Sequence, residues 1–429
     1  LDAIITKRGI LAKKKTTISG EKYLGWKPWV PGDPVLINRI QWGQPEAKQV
    51  EDVYKNDWFG PGQKVHEFAK RLTRLTGHKY ALPVNSGSSA LLLAVRALID
   101  LGRWIPGDLV IHPALTFPTS ISGALQCNME PAFLDIDPAT YQINTGQIAR
   151  LFDETRRTFD VAGAIIPHIL GNPSNMGLIR DLLGSKAIIE DCCDTLGGYL
   201  GRRYKGQHVG KAGDVAALSF YGSHHVTTAG VGGALLTDDS DIYAQALSMA
   251  YWGRNDYSLI ENEYERFERR YWYTTSGYDM QMTEMQAGFG IAQLDRLTEA
   301  NKVREYRFDQ LSDYFVQYED WFVLPEQADP TATPSWFAFP ITIKPDAPFS
   351  RRQFAEYLIR HKIEIRPIFT GDITQHPAFR RYHGWFGIAT NARLAGANGL
   401  FLPAWGMSDP EMEYMLGVLE GFLGTEMGR

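Results

Sequence analysis

From about residue 57 onward, short apolar runs alternate with helical patterns. The runs are 109–112, 132–134, 161–167, 187–189, 215–220 and 233–236, rich in Ile, Val, Leu and Ala. Residues 65–75 are amphipathic, and 86–101 form an apolar-rich pattern that opens at a Ser-Gly pair. Buried strands of this kind, spaced by helices, predict a mostly parallel sheet covered on both faces. From Ile291 a long amphipathic stretch (Leu294, Leu297, Val303, Leu311, Phe315) predicts a connecting helix. Beyond it, 336–343 reads as a strand, 350–361 as a helix and 408–423 as a terminal helix. That last helix opens on Ser408-Asp409-Pro410-Glu411, a capping box with Pro in the first turn. Residues 1–56 read as an arm punctuated by Trp26, Pro28, Pro31 and Pro34, helical only from Pro45. The expected organisation is an arm (1–56), a large α/β domain (57–295) and a smaller C-terminal α+β domain (296–429).

Composition narrows the function classes. The 429 residues are 44% hydrophobic and 22% charged, ordinary globular values. A net charge of −5 offers no basic field for nucleic acid or anionic lipid, and no basic stripe interleaves the aromatics. No apolar run approaches the roughly 20 residues that span a bilayer. Residues 1–17 mix Ile4, Ile5 and Leu11 with Lys13, Lys14 and Lys15 and lack an apolar secretory core. The three cysteines, Cys127, Cys192 and Cys193, make no disulfide framework. A cytoplasmic protein that binds neither nucleic acid nor membrane is expected.

The common short motifs are absent: there is no G-x-G-x-x-G after a strand, no phosphate-binding P-loop and no H-E-x-x-H. The adjacent His224 and His225 do not have chelating spacing, so no metal site is expected. Four segments carry chemistry together. Asn85-Ser86-Gly87-Ser88-Ser89 opens a helix, where backbone N–H groups and small hydroxyls suit a phosphate, or where Ser86 or Ser88 simply caps. The strand 187–189 runs into Glu190-Asp191, which puts acid where ligands of open α/β sheets bind, or in a turn. Ser219 to His225 follow a strand and offer a hydroxyl and two imidazoles for anion binding and proton transfer. Gly277-Tyr278-Asp279 precedes a helix whose methionines could equally face the core.

The order of these segments resembles the sugar-modifying branch of the fold-type-I pyridoxal phosphate proteins, from about Trp58 to Phe422. That branch includes nucleotide-sugar aminotransferases and 4-keto-6-deoxysugar 3-dehydratases. The likeness implies that Gly87 and Ser88 hold the cofactor phosphate with help from Ser219. It implies that Phe117 stacks on the ring, Asp191 pairs with the pyridinium nitrogen and Asp194 lies near the ring hydroxyl. In the aminotransferases this loop reads Ser-Phe-x-x-x-Lys, and the Lys bonds the cofactor covalently. Here His224 stands at the Lys position. Imidazole has no primary amine, so pyridoxamine or pyridoxal 5′-phosphate is expected to bind without a covalent link. The His224–His225 pair is the mark of the 3-dehydratases, and both are implied as catalytic.

Two kinds of 3-dehydratase are similar to this chain. The CDP-4-keto-6-deoxyglucose kind matches around residues 190–194 and carries a [2Fe–2S] cluster on one Cys there and three downstream. The matching stretch 252–270 has no Cys, so no iron–sulfur cluster is expected. The GDP-4-keto-6-deoxymannose kind lacks a cluster and resembles this chain at 170–173, 335–339, 363–368 and 398–401. Family members usually have Asn where Asp279 stands, reaching the phosphate from a neighbouring subunit. A carboxylate there opposes the phosphate charge.

The likeness implies C3 deoxygenation of a nucleotide-linked 4-keto-6-deoxyhexose. Glutamate would restore the amine form, and the active unit would be a homodimer. Arg254, Trp336, Phe337 and Arg366 are the candidates on the substrate side. A base of near-neutral pKa at His224 is expected to carry the proton. Dehydration coupled to a separate reductase and a silent nucleotide-sugar-binding paralogue are the alternatives.

Overall fold

Residues 29–155, 160–254, 262–382 and 389–424 are described by a computed structural model. The expectation for residues 1–17 falls outside them. The chain opens with α1 (Gln44–Asn56), α2 (Gln63–Thr76), β1 (Tyr80–Val84), α3 (Gly87–Asp100), β2 (Leu109–Pro113), α4 (Pro118–Gln126) and β3 (Glu130–Leu134). It continues through α5 (Thr145–Thr155), β4 (Val161–Pro167), α6 (Met176–Leu183), β5 (Ala187–Asp191), β6 (Val215–Ser219), β7 (Gly233–Thr237) and α7 (Ser240–Ala250). Then come α8 (Glu263–Glu268), α9 (Glu284–Leu294), α10 (Leu297–Phe315), β8 (Phe322–Val323) and β9 (Phe339–Ile343). Last are α11 (Arg351–Arg360), α12 (Thr390–Asn398), β10 (Gly399–Leu402) and α13 (Asp409–Leu423).

The large sheet has the order β1-β7-β6-β5-β4-β2-β3 and is parallel except for β7, which pairs antiparallel with β1 and β6. Its central strands are buried at all but one position each in β4 and β6, Ala162 and Ser219, as continuous apolar runs require. Separate apolar clusters cover its two faces, one built on α2, α6 and α9, the other on α3, α4 and α7. An antiparallel sheet, β10-β9-β8, packs with α10, α11 and α13 in a further cluster that also takes in Trp29 and Val35 of the arm. Among the described residues, no helix is long and apolar enough to cross a membrane.

The mostly parallel α/β fold is as the pattern predicts, with local differences. The strand Tyr80–Val84 is not legible because Pro83 interrupts it. It lies at the sheet edge, where proline is tolerated. The stretch from Ile291 is two helices rather than one, α9 ending at Leu294 and α10 starting at Leu297. The strand expected from Trp336 begins only at Phe339. Its leading residues pair elsewhere: Ser335 N donates to Gly171 O and Phe337 N to Leu170 O.

Candidate active site

The carboxyl ends of β1, β2, β4, β5 and β6 open on one cavity of about 600 Å³, and the start of β7 closes it. Ser86, Gly87 and Ser88 supply one wall, Phe117 to Ser120 a second, and Asp191, Cys193 and Asp194 a third. Ser219, Tyr221, Ser223 and His224 complete it from the β6–β7 loop. Phe337, Arg366, Phe369 and Phe401 close the outer end. A strand-end crevice in a parallel sheet is where such folds take ligands.

Ser86 caps α3, its Oγ accepting from Ser89 N at 3.1 Å, so the capping reading holds. The same helix N-terminus also faces the cavity, and its free N–H groups suit an anion. Gly87 is required by close approach. A Cβ there would stand 2.8 Å from Ser219 Cβ and 3.0 Å from Cys193 Sγ. Asp191 is fixed at both oxygens: Ser120 Oγ donates to Oδ2 at 2.6 Å, and Cys193 N to Oδ1 at 3.2 Å. Phe117, the N-cap residue of α4, leaves 55% of its surface exposed on the cavity wall. Together the helix terminus, the anchored carboxylate and the open aromatic face fit a planar, phosphorylated, nitrogen-containing ring. Among the described residues, no lysine lines the cavity.

His224 meets Phe337 edge-on, ring centroids 5.6 Å apart, and its Nδ1 lies 3.8 Å from Asp194 Oδ1. Burial, aided by the nearby Arg304 cation, pulls its pKa down to about 3. The imidazole is thus neutral at physiological pH, which corrects the expectation of a near-neutral pKa. Desolvation of a ring sunk beside an unbalanced cation is the reason. Asp194 moves the other way. Burial and then the neighbouring Asp191 charge push its carboxyl up to about 7, against a backbone hydrogen bond from Leu170.

Several expected residues are elsewhere. His225 does not line the cavity; its Nε2 donates to Ser335 O at 2.9 Å, a structural anchor for the loop. Trp336 stacks on Phe308 with centroids 4.0 Å apart, inside the small-sheet cluster, so only its neighbour Phe337 reaches the cavity. The guanidinium of Arg254 sits 5.0 Å from the Trp252 ring centroid, also off the cavity wall. Asp279 bridges to Tyr251 and contributes nothing to the wall of its own chain. Arg366 does line it, ion-paired to Glu364 at 3.0 Å. Sequence reading missed Ser120 and Arg304, which no motif marks. Arg304 is buried and donates to Phe337 O at 3.3 Å.

His168, Glu190 and Cys192 bring metal-ligand atom types together beneath the site. Their polar capacity is already used. His168 Nε2 bonds Glu190 at 2.9 Å, and His168 Nδ1 accepts from Ser174 N. Gly210 N and Gly213 N also donate to Glu190. Burial opposes the Glu190 charge, but His168 and these donors outweigh it and hold the carboxyl below its usual range.

Residues 41–417 match the family described as the DegT/DnrJ/EryC1/StrS aminotransferase family. The lipopolysaccharide biosynthesis protein RfbH of Salmonella typhimurium is 31% identical over 93% of this chain and 94% of its own length. The GDP-4-keto-6-deoxy-D-mannose 3-dehydratase of Escherichia coli O55:H7 is 30% identical over 84% of this chain and 92% of its own. A crystal structure of GDP-4-keto-6-deoxymannose-3-dehydratase with a trapped PLP-glutamate geminal diamine superposes with a TM-score of 0.80. It is 26% identical and covers 89% of this chain and 99% of that one.

Proposed function

Because the chain belongs to the DegT/DnrJ/EryC1/StrS aminotransferase family, we propose that it deoxygenates C3 of a nucleotide-linked 4-keto-6-deoxyhexose, with pyridoxamine 5′-phosphate bound non-covalently. The observation that carries the reading is a strand-end cavity lined by His224 and, among the described residues, by no lysine. The 3-dehydratase relatives support it.

When bound, the cofactor supplies an amine that condenses with the C4 ketone and a ring that accepts an electron pair. The chain's own residues do the rest. The N-terminus of α3 and Ser219 bind the phosphate, and Phe117 lies against the ring. Asp191, held by Ser120 and the Cys193 N–H, keeps a proton on the ring nitrogen. His224, neutral and facing Asp194 through Nδ1, is left with Nε2 to take up a proton and would return it to the leaving hydroxyl of the sugar. A neutral imidazole starts with an open acceptor, as the first half of that exchange demands. Asp194 would lie near the ring hydroxyl, and Phe337, Phe369 and Arg366, which line the cavity, would border the sugar.

The reaction balances without an outside reductant. The sugar gains two electrons as C3–OH becomes C3–H2, and glutamate loses two as it becomes 2-oxoglutarate and ammonia. The relative caught with PLP joined to glutamate supports that donor. Three cysteines, with Cys127 in a different apolar cluster from Cys192, are too few for a four-thiolate cluster. A homodimer is part of the proposal, since Asp279 and Arg254 lie off the cavity of their own chain. The test is product analysis by mass spectrometry with candidate sugars and glutamate. A 3-deoxy-4-keto product supports the reading, and a 4-amino sugar overturns it in favour of amino transfer.

A further inference from the structure

Four consecutive arm residues are tied into the cavity's surroundings, one after another. Val35 pairs through its backbone on both sides, Val35 N donating to Lys362 O and Glu364 N to Val35 O. Leu36 O accepts from Trp405 Nε1 at 2.8 Å. Ile37 N donates to Glu364 Oε2 at 2.9 Å, while the other oxygen of that carboxylate holds Arg366. The Ile37 side chain is buried in the same apolar cluster as Phe337 and Phe401, both of which line the cavity. Asn38 then reaches the β6–β7 loop. Its Nδ2 donates to Ser223 O at 2.5 Å and lies 3.4 Å from His224 O, while its Oδ1 accepts from Arg39 N.

That loop has little regular structure to hold it. It turns on Tyr221 to His224 and is pinned to itself by Gly222 N to Gly230 O and Thr228 N to Phe220 O. The carbonyls of Ser223 and His224 lie on its arm side, where Asn38 supplies the donor. Fixing those carbonyls fixes the backbone from which the His224 ring projects. Proton transfer falls steeply with misplacement, about a hundredfold for 1 Å in well-ordered sites.

We infer that residues 35–38 form a strap along the back of the cavity wall, with Asn38 as a positioning residue that sets the His224 ring by clamping its loop. The inference rests on the proposed role of His224 for its kinetic consequence, but not for its structural one. Asn38 does not line the cavity; its effect passes through the backbone at 223–224.

The experiment uses Asn38→Asp, which keeps the shape but sets an acceptor against two carbonyls, with Asn38→Ala as a second variant. Hydrogen–deuterium exchange of the cofactor-free full chain is followed in peptides covering 219–232 and, as internal control, 187–191. The expected result is exchange about tenfold faster or more in the loop with the strand unchanged. In turnover assays, kcat falls about tenfold while the sugar KM shifts less than about threefold, and Asn38→Gln recovers part of both changes. Loop exchange unchanged in both variants, or faster throughout the chain, overturns the strap. Faster loop exchange with unaltered kcat overturns the positioning role. If the wild-type chain does not turn over these sugars, the proposed reaction fails, and the exchange measurement still decides whether Asn38 holds the loop.

Discussion

His224 Nδ1 and Asp194 Oδ1 face each other at 3.8 Å across the floor of the cavity, and their protonation is opposite to that of an ordinary ion pair. Burial pulls the imidazole to about 3 and pushes the carboxyl to about 7, so near neutral pH the ring is uncharged and the acid is partly protonated. With the ring uncharged and the two atoms beyond hydrogen-bond reach, no ion pair ties the imidazole down, and its lone pair stays open to accept a proton.

Replacing His224 with Asn is expected to lower turnover by about 10²- to 10⁴-fold, the usual contribution of a positioned acid–base group. In the proposed site, phosphate and ring contacts are assigned to other residues, so cofactor affinity is expected to change by less than about tenfold. Kinetics paired with a cofactor titration checks this. Near-normal turnover in the variant removes His224 from the mechanism.

Asp194 carries a stability signature with a definite sign. Its folded-state pKa lies above the unfolded value, so the folded state binds the extra proton between about pH 4 and 7. Stability from this group is present at low pH and lost as pH rises toward 7. Asp194→Asn mimics the protonated acid. Thermal melts of the cofactor-free variant are therefore expected to match wild type near pH 4 and to exceed it by several degrees at pH 8. Parallel curves at both pH values count against the raised pKa.

Gly87→Ala is expected to weaken cofactor binding at least about tenfold, because the new methyl meets Ser219 and Cys193 at overpacking distance. Overpacking of this kind costs about 1–3 kcal/mol, felt here at the helix terminus proposed to hold the phosphate. Equilibrium titration with pyridoxal phosphate and with inorganic phosphate reads the effect. Wild-type affinity for both would mean that the cradle lies elsewhere.

With no lysine on the cavity wall among the described residues, borohydride treatment of the loaded protein is expected to leave the mass of the denatured chain unchanged. A mass increase equal to one reduced pyridoxyl phosphate on a single lysine contradicts non-covalent binding.

Much of this site was legible because its chemistry sits where strands end. An apolar run closing on Glu190-Asp191, and a Ser-Gly opening a helix, are local patterns, and both segments line the cavity. Pairs of neighbours were harder. Trp336 and Phe337 are adjacent in sequence yet belong to opposite sides, one stacked in the small-sheet cluster and one on the cavity. Extended backbone alternates its faces, and composition does not say which face is which. His224 and His225 divide too, but on a bent loop, where no regular alternation foretells which of them faces the cavity. Ser120, 71 positions from the carboxylate it holds, and Arg304, on a helix far downstream, reach the site only through the fold. The pKa of His224 was misread for the same reason, since burial and the Arg304 charge are properties of packing.

The most direct measurement is a multiple-turnover reaction with a nucleotide-linked 4-keto-6-deoxyhexose, the cofactor and glutamate, with no reductase present. Sugar, ammonia and 2-oxoglutarate are quantified together by mass spectrometry and enzymatic assay. Neutral His224 in place of a lysine, with glutamate as the electron source, predicts one 3-deoxy-4-keto sugar, one ammonia and one 2-oxoglutarate per cycle, and a halt when glutamate is omitted. A 4-amino sugar formed with 2-oxoglutarate and without free ammonia, or deoxygenation that proceeds without glutamate once a flavin reductase is added, contradicts it.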